Sequence, residues 1–260
     1  MNKKNSFKNS KLISISFMII GVFLMLIIVE FLHLFGSNPL IFPSLKEIFN
    51  NFFNLIAEVD TFKAIGLSLL RTIFALLFSF IFASILGILA GYNKNIANIL
   101  KPLIATLKCI PVPCFVFILF IYFPFNKLIS ITTIVFMVIF PIMYEASKTG
   151  IENIDKSIVN SLKIEGQYKF NSIFKVSIPL ALPYIFLSFL TSFGLAIKVE
   201  ITAETLMNSN SLEGLGRILY SAYSNNEFSK IYALVLIILI IFIILDTIIF
   251  ILKQTFLKKY

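Results

Sequence analysis

Runs of about twenty apolar residues recur along this chain, and each is long enough to cross the roughly 30 Å of hydrocarbon in a bilayer as a helix. With 58% hydrophobic and only 13% charged residues over 260 positions, no single water-soluble core could bury the surface these runs carry. An all-α polytopic membrane protein follows, with about six spans near residues 12–35, 68–90, 102–123, 128–144, 179–199 and 231–252. In lipid each span must satisfy its own backbone hydrogen bonds, which favours the helix.

The formal net charge of +9 would suit nucleic acid only if the basic residues shared one face with interleaved aromatics. They are scattered between the spans, so no nucleic acid is expected. With the N-terminus inside, the inner segments collect 14 lysines and the outer ones 7 lysines and arginines, Arg71 and Lys198 among the latter, while Lys108 falls within the third span. That bias puts both termini and the stretch Glu145–Ile178 in the cytoplasm. The run 12–35 is too long for a signal-peptide core and lacks a small-x-small cleavage site before Gly36, so it is read as a retained first span. Residues 1–64 then comprise a cytoplasmic tail, this span and an external amphipathic segment. That segment is broken by Pro39 and Pro43, with Ile48, Phe49, Phe52 and Phe53 on a surface-lying face. A transmembrane domain over 65–255 and a short cytoplasmic tail, 256–260, complete the chain.

Within the spans, Ser79, Ala83, Gly87 and Gly91 recur every four residues, putting small side chains on one helical face, a packing seam or alternatively a pore lining. Pro111 and Pro113 must interrupt the third span's hydrogen-bond ladder. Freed carbonyls at that depth need protein or a water-filled cavity, so the prolines mark either a substrate path or a packing kink. Ser188, Ser192 and Ala196 share a face of the fifth span, which ends with Lys198 and Glu200. Lys198 either snorkels to the interface or faces the path and favours an anion. Cys109 and Cys114 read as small apolar packing residues, with neither a disulfide nor a metal expected. His33, the sole histidine, reads as an interface residue, and no His/Asp/Glu cluster suggests an embedded enzyme.

The polar stretch is patterned. Asp155 suits an N-cap, Ile158, Val159 and Leu162 an apolar stripe, and Gly166 a C′ position with positive φ. A second short helix, Tyr168–Val176, would set Phe170, Ile173 and Phe174 toward the membrane and Lys169 and Lys175 toward water, before Pro179 and Pro183 mark re-entry. Such a helix-glycine-helix can dock on a soluble subunit and pass its movement to the flanking spans.

Gly166 followed by Val176-Ser177-Ile178-Pro179 resembles the cytoplasmic signature of type I ABC importer permeases, E-A-A-x-x-x-G, a spacer, then I-x-L-P, in their nitrate/sulfonate/taurine-like branch. Ser68-Leu69-Leu70-Arg71, Lys108-Cys109-Ile110-Pro111-Val112-Pro113, Gly194-Leu195-Ala196, Ala203-Glu204 and Gly214-Leu215-Gly216 fall in the same order as in that family, so the likeness covers roughly 65–255. Asn160-Ser161-Leu162 stands where the family has its E-A-A triplet, so the usual carboxylate is missing. The resemblance implies a permease subunit, not itself an enzyme, in a bacterial plasma membrane. It implies ATPase-coupling roles for Asp155, Asn160, Ser161, Leu162, Glu165, Gly166, Lys169, Pro179 and Pro183, while the pattern of the spans themselves makes Pro111, Pro113, Ser188, Ser192 and Lys198 the candidates for a translocation path. The implied partners are an ABC ATPase dimer that binds ATP and Mg, a substrate-binding protein and a second permease copy. No G-x-x-x-x-G-K-[ST] loop occurs in the chain, so no cofactor of its own is expected. The alternative, a self-contained secondary transporter or channel, would call for an internal repeat and acidic residues buried mid-span; Glu30 and Asp246 lie within or near span ends, but no repeat is evident.

Overall fold

The computed structural model describes residues 24, 27–31, 33–36, 41–123, 126–155, 157–158, 176–207 and 213–257. It contains helices α1 (Leu45–Ala57), α2 (Val59–Tyr92), α3 (Lys94–Cys109), α4 (Val112–Tyr122), α5 (Lys127–Glu152), α6 (Ile178–Met207), α7 (Leu215–Ser224) and α8 (Phe228–Leu257). Among the described residues four helices are long and apolar enough to cross a membrane, within α2, α5, α6 and α8, and the bent pair α3 and α4 adds a fifth if counted as one span. The expected first span lies largely outside the described residues, although 27–31 and 33–35 are helical.

Met1–Glu58 with Ser221–Ile238 makes one compact unit, and Val59–Tyr220 with Leu239–Tyr260 the other. In the first, Ser44 caps α1 by accepting the Glu47 amide at 3.3 Å. Ile48 and Leu55 are buried while Phe49 and Phe53 are exposed, so the helix is two-faced. His33 Nδ1 lies 2.7 Å from the Phe42 carbonyl oxygen, and Glu30 accepts the Leu45 amide.

The second unit is built on α2, α5 and α6. The small-residue seam is where α2 meets α5: a methyl group at Gly87 would lie 2.6 Å from both the Ser147 Cβ and the Tyr144 carbonyl oxygen, and one at Gly91 would lie 2.6 Å from the Ile151 Cβ. Ser79 and Ala83 are fully buried in line with them, so the face packs helix on helix, as small residues allow in lipid where apolar burial alone gives no net attraction. The core gathers Leu76, Ile131, Ile134, Val135, Ile139 and Met143.

Helix bounds differ from the sequence reading in three places. The interval before Pro102, ahead of the expected third span, is the first half of α3, with Asn93 accepting the Asn95 amide at 2.9 Å as its cap. Residues 145–152, expected at the head of the loop, continue α5. Glu200 to Met207, expected outside the membrane, extend α6 by two further turns.

Candidate functional site

The polar stretch leaves from the end of α5 and returns at the start of α6, and these two ends are fastened together. A methyl at Gly150 would lie 3.0 Å from the Tyr184 Cβ and 3.3 Å from the Ala181 Cβ and carbonyl oxygen. Beside that contact Ile151, Ala181 and Ile185 form a separate buried cluster, with Phe80, Ile88 and Ile154 packed on it. Pro179 occupies the first turn of α6, where a missing amide costs little, whereas Pro183 lies inside the helix and leaves the Pro179 carbonyl without its partner four residues on; Pro179 is exposed and Pro183 half-buried. Asp155 accepts the Ser157 amide on Oδ1 at 2.9 Å, and its carbonyl accepts from Ile158 at 3.1 Å, the geometry of an N-cap. The Ser157 backbone bond holds the Asp155 carboxyl below its usual range. Asn160, Ser161, Leu162, Glu165, Gly166 and Lys169 lie outside the described residues.

A second feature is the break between α3 and α4, whose axes bend by 102°. Ile110 still donates to Thr106 at 3.2 Å and Cys114 to Pro111 at 3.0 Å. Pro111 and Pro113 have no amide hydrogen, so the carbonyls of Leu107 and Cys109 have no helical partner four residues on. Both prolines are exposed. So are Cys109 and Cys114, each a free thiol, so neither packs into the core of this chain. At the end of α3 the Lys108 ammonium pairs with Glu145 on α5.

The three expected path residues of α6 are not brought to one face. The Ser188 hydroxyl donates to the Ile185 carbonyl at 2.8 Å, and Ser192 is buried with its hydroxyl unpartnered among the described residues. Lys198 is exposed and sits over the Phe242 ring of α8, 5.4 Å from its centroid.

What the sequence reading missed is a buried ionic latch. Arg71, midway down α2, donates from Nε to Glu200 Oε1 at 2.8 Å. From Nη2 it donates to Glu204 Oε1 and to the Glu213 carbonyl at 2.9 Å. Ser68 donates to Glu204 Oε1 at 2.7 Å and accepts the Leu215 amide at 3.1 Å, while the Gly216 amide donates to Glu204 Oε2 at 2.8 Å. The segment 213–216 can approach this closely because it is glycine-rich: a methyl at Gly216 would fall 2.5 Å from the Glu204 Cβ and 2.6 Å from the Ile201 carbonyl. Arg71 is therefore a paired, buried charge and not one of the free outer cations that set topology. The signal was present: Ser68 and Arg71 three apart on one span, Glu200 and Glu204 four apart on another, all in apolar surroundings where unpaired charge is expensive.

A multi-pass helical bundle that fastens together the two ends of a long polar loop, and carries a proline-broken helix beside them, defines a membrane transport subunit. The sequence profile of the family described as binding-protein-dependent transport system inner membrane component matches residues 83–260, and the chain belongs to that family. It is 30% identical over 160 residues to the bicarbonate transport system permease protein CmpB of Synechococcus elongatus, covering 62% of this chain and 56% of that one. The alignment thus takes in a little over half of that relative's length. It is 25% identical over 224 residues to the nitrate import permease protein NrtB of a Synechocystis species, covering 81% and 78%. A solved structure of the MetNI methionine ABC transporter in inward-facing conformations shares the fold, with a TM-score of 0.64 at 14% identity over 75% of this chain and 95% of that one. The protein is a permease subunit of an ABC importer.

Proposed function

We propose that this chain pairs with a second permease copy to enclose the translocation path of an importer for a small oxyanion in a bacterial plasma membrane. A separate ATPase dimer, which binds ATP and Mg, docks on the loop between α5 and α6, and an external binding protein delivers the cargo. The observation that carries the coupling role is the contact of Gly150 with Ala181 and Tyr184. Two spans clamped where the loop begins and ends move together when a docked subunit pushes it, whereas loosely packed legs would absorb the push. Asp155 caps the loop's first helical turn, and the role of pivot is proposed for Gly166 on the sequence pattern alone. The cargo class is carried over from the relatives, whose names give nitrate and bicarbonate.

The test is a Ser161→Cys substitution in the assembled transporter in native membranes, with a cysteine series on the ATPase surface. Crosslinking that changes with nucleotide state is the expected result. A loop that never reaches the ATPase at any position tried refutes the coupling role.

A further inference from the structure

The third helix carries charge that the coupling and latch sites leave unused. Lys94, Lys101 and Lys108 are spaced by seven, with Asn98 and Ala105 between them, so the five residues line one face of α3 at helical spacing. All five are exposed. The face is about 21 Å long at 1.5 Å per residue. It starts at the cap, Asn93, and ends at the proline break, where Lys108 meets Glu145.

The other faces of α3 show which way this one looks. Ile104 is buried in the core, and Ile96, Ala97, Leu100 and Leu107 pack against it. Ile99 and Leu103 are 74% and 49% exposed and lie roughly 140–180° around the axis from the lysines, taking about 100° per residue. An exposed apolar face suits lipid, and the lysine face points away from it. Charged side chains in a membrane protein that turn from lipid and are not buried line water.

We propose that the lysine face of α3 is a wall of the cytoplasmic half of the translocation path, along which the oxyanion leaves, and that Glu145 is the counter-ion that Lys108 exchanges for the passing anion. This rests on the oxyanion reading given above. Rows of Lys raise the local anion concentration, and conduction also requires that no single site hold the ion too tightly. Glu145 supplies that limit, because Lys108 returns to it once the anion has moved on. The remaining charges nearby on α5, Lys148 and Glu152, pair with each other at 3.5 Å.

The experiment uses the complete transporter, with its ATPase and binding protein, in vesicles, and follows ATP-dependent uptake of nitrate, bicarbonate and methanesulfonate. Lys101 makes no ion pair among the described residues, so Lys101→Gln and Lys94→Gln/Lys101→Gln leave the packing alone. The double variant is expected to lower uptake of the anion that the wild type carries about tenfold at low ionic strength, and by much less at high salt. Lys108→Arg should keep uptake where Lys108→Gln loses it. Unchanged uptake in the double variant at every salt concentration overturns this inference and leaves the oxyanion reading standing. A wild type that carries none of the three anions but imports a neutral solute overturns both. An effect confined to vesicles containing phosphatidylglycerol, absent in pure phosphatidylcholine, would mean that the lysines hold lipid headgroups, and would also overturn it.

Discussion

Arg71→Met separates the latch from the packing around it. Methionine keeps much of the volume and removes the guanidinium, so the change acts on three donated bonds, to Glu200, Glu204 and the Glu213 carbonyl. The carbonyl belongs to an exposed residue and can turn to water. The two carboxylates cannot, being 0% and 1% exposed, and they sit one turn apart on α6 with like charge. Removing one partner of a buried ion pair costs about 3–5 kcal/mol, a shift of roughly 10²- to 10³-fold in the folded ratio. Ser68 and the Gly216 amide still support Glu204, which places the expected loss toward the lower end of that range. The assay is the thermal midpoint of the detergent-purified protein, read from the monodisperse fraction on gel filtration. Replacing the ionic set together, as Arg71→Met/Glu200→Met/Glu204→Gln, should recover at least half the loss, since buried ionic groups exchanged as a set are often neutral. An unchanged midpoint in the single variant, or a triple variant as unstable as the single, refutes the reasoning.

Gly87→Val should sharply lower the yield of folded protein, because its side chain would press on the Tyr144 carbonyl and the Ser147 Cβ at 2.6 Å, an overpacking of about 1–3 kcal/mol or more against backbone that cannot yield. Gly66→Ala, where nothing lies within 4 Å, should be neutral or slightly stabilising and serves as its control; equal yields for the two would remove the seam from the account. Asp155 accepts the Ser157 amide and has its carboxyl held low. Its cap therefore stabilises the loop's first turn above the ordinary carboxylate range and is lost as the pH falls through the lowered folded value. Protection factors at Ser157 and Ile158, taken relative to the intrinsic exchange rate at each pH, should fall in acid for the wild type and not for Asp155→Asn, which caps without titrating; matching protection profiles would refute the cap.

The spans and the seam were legible because they rest on local repetition: apolar runs of fixed length, and small residues four apart. The break at Ile110-Pro111 was legible for a related reason, since proline removes a donor wherever it stands. Its 102° bend was not, because the angle depends on where the neighbouring helices α2, α5 and α6 lie against the two halves, with Ile104 and Val116 buried in the shared core. The span ends were misjudged where polar residues are paired across helices. Glu200 looked like an exit from the membrane, and α6 runs past it because Arg71 on another span supplies the opposite charge. The sequence pieces of that latch had been noticed separately, 136 positions apart for Ser68 and Glu204, and nothing in one sequence says that they meet. Lys198 had two open readings, a snorkel to the interface or a cation facing the path; it is exposed and lies over the Phe242 ring, about a third of a turn from Ser192.

The bend between α3 and α4 bears on how the protein is made. α4 has 11 residues, about 17 Å of helix, too short to cross the hydrocarbon unaided. α3 carries three lysines on one face, each adding a penalty of a few kcal/mol if presented to lipid at the centre of a lone helix. Neither piece is a self-sufficient insertion signal for the translocon. The pair must wait at the bilayer's edge until α5 has emerged with Glu145 to meet Lys108 and an apolar side to receive α4. Membrane integration of this region is then a late, cooperative event, and a ribosome stalled before α5 would leave a chain with one fewer crossing than the finished subunit.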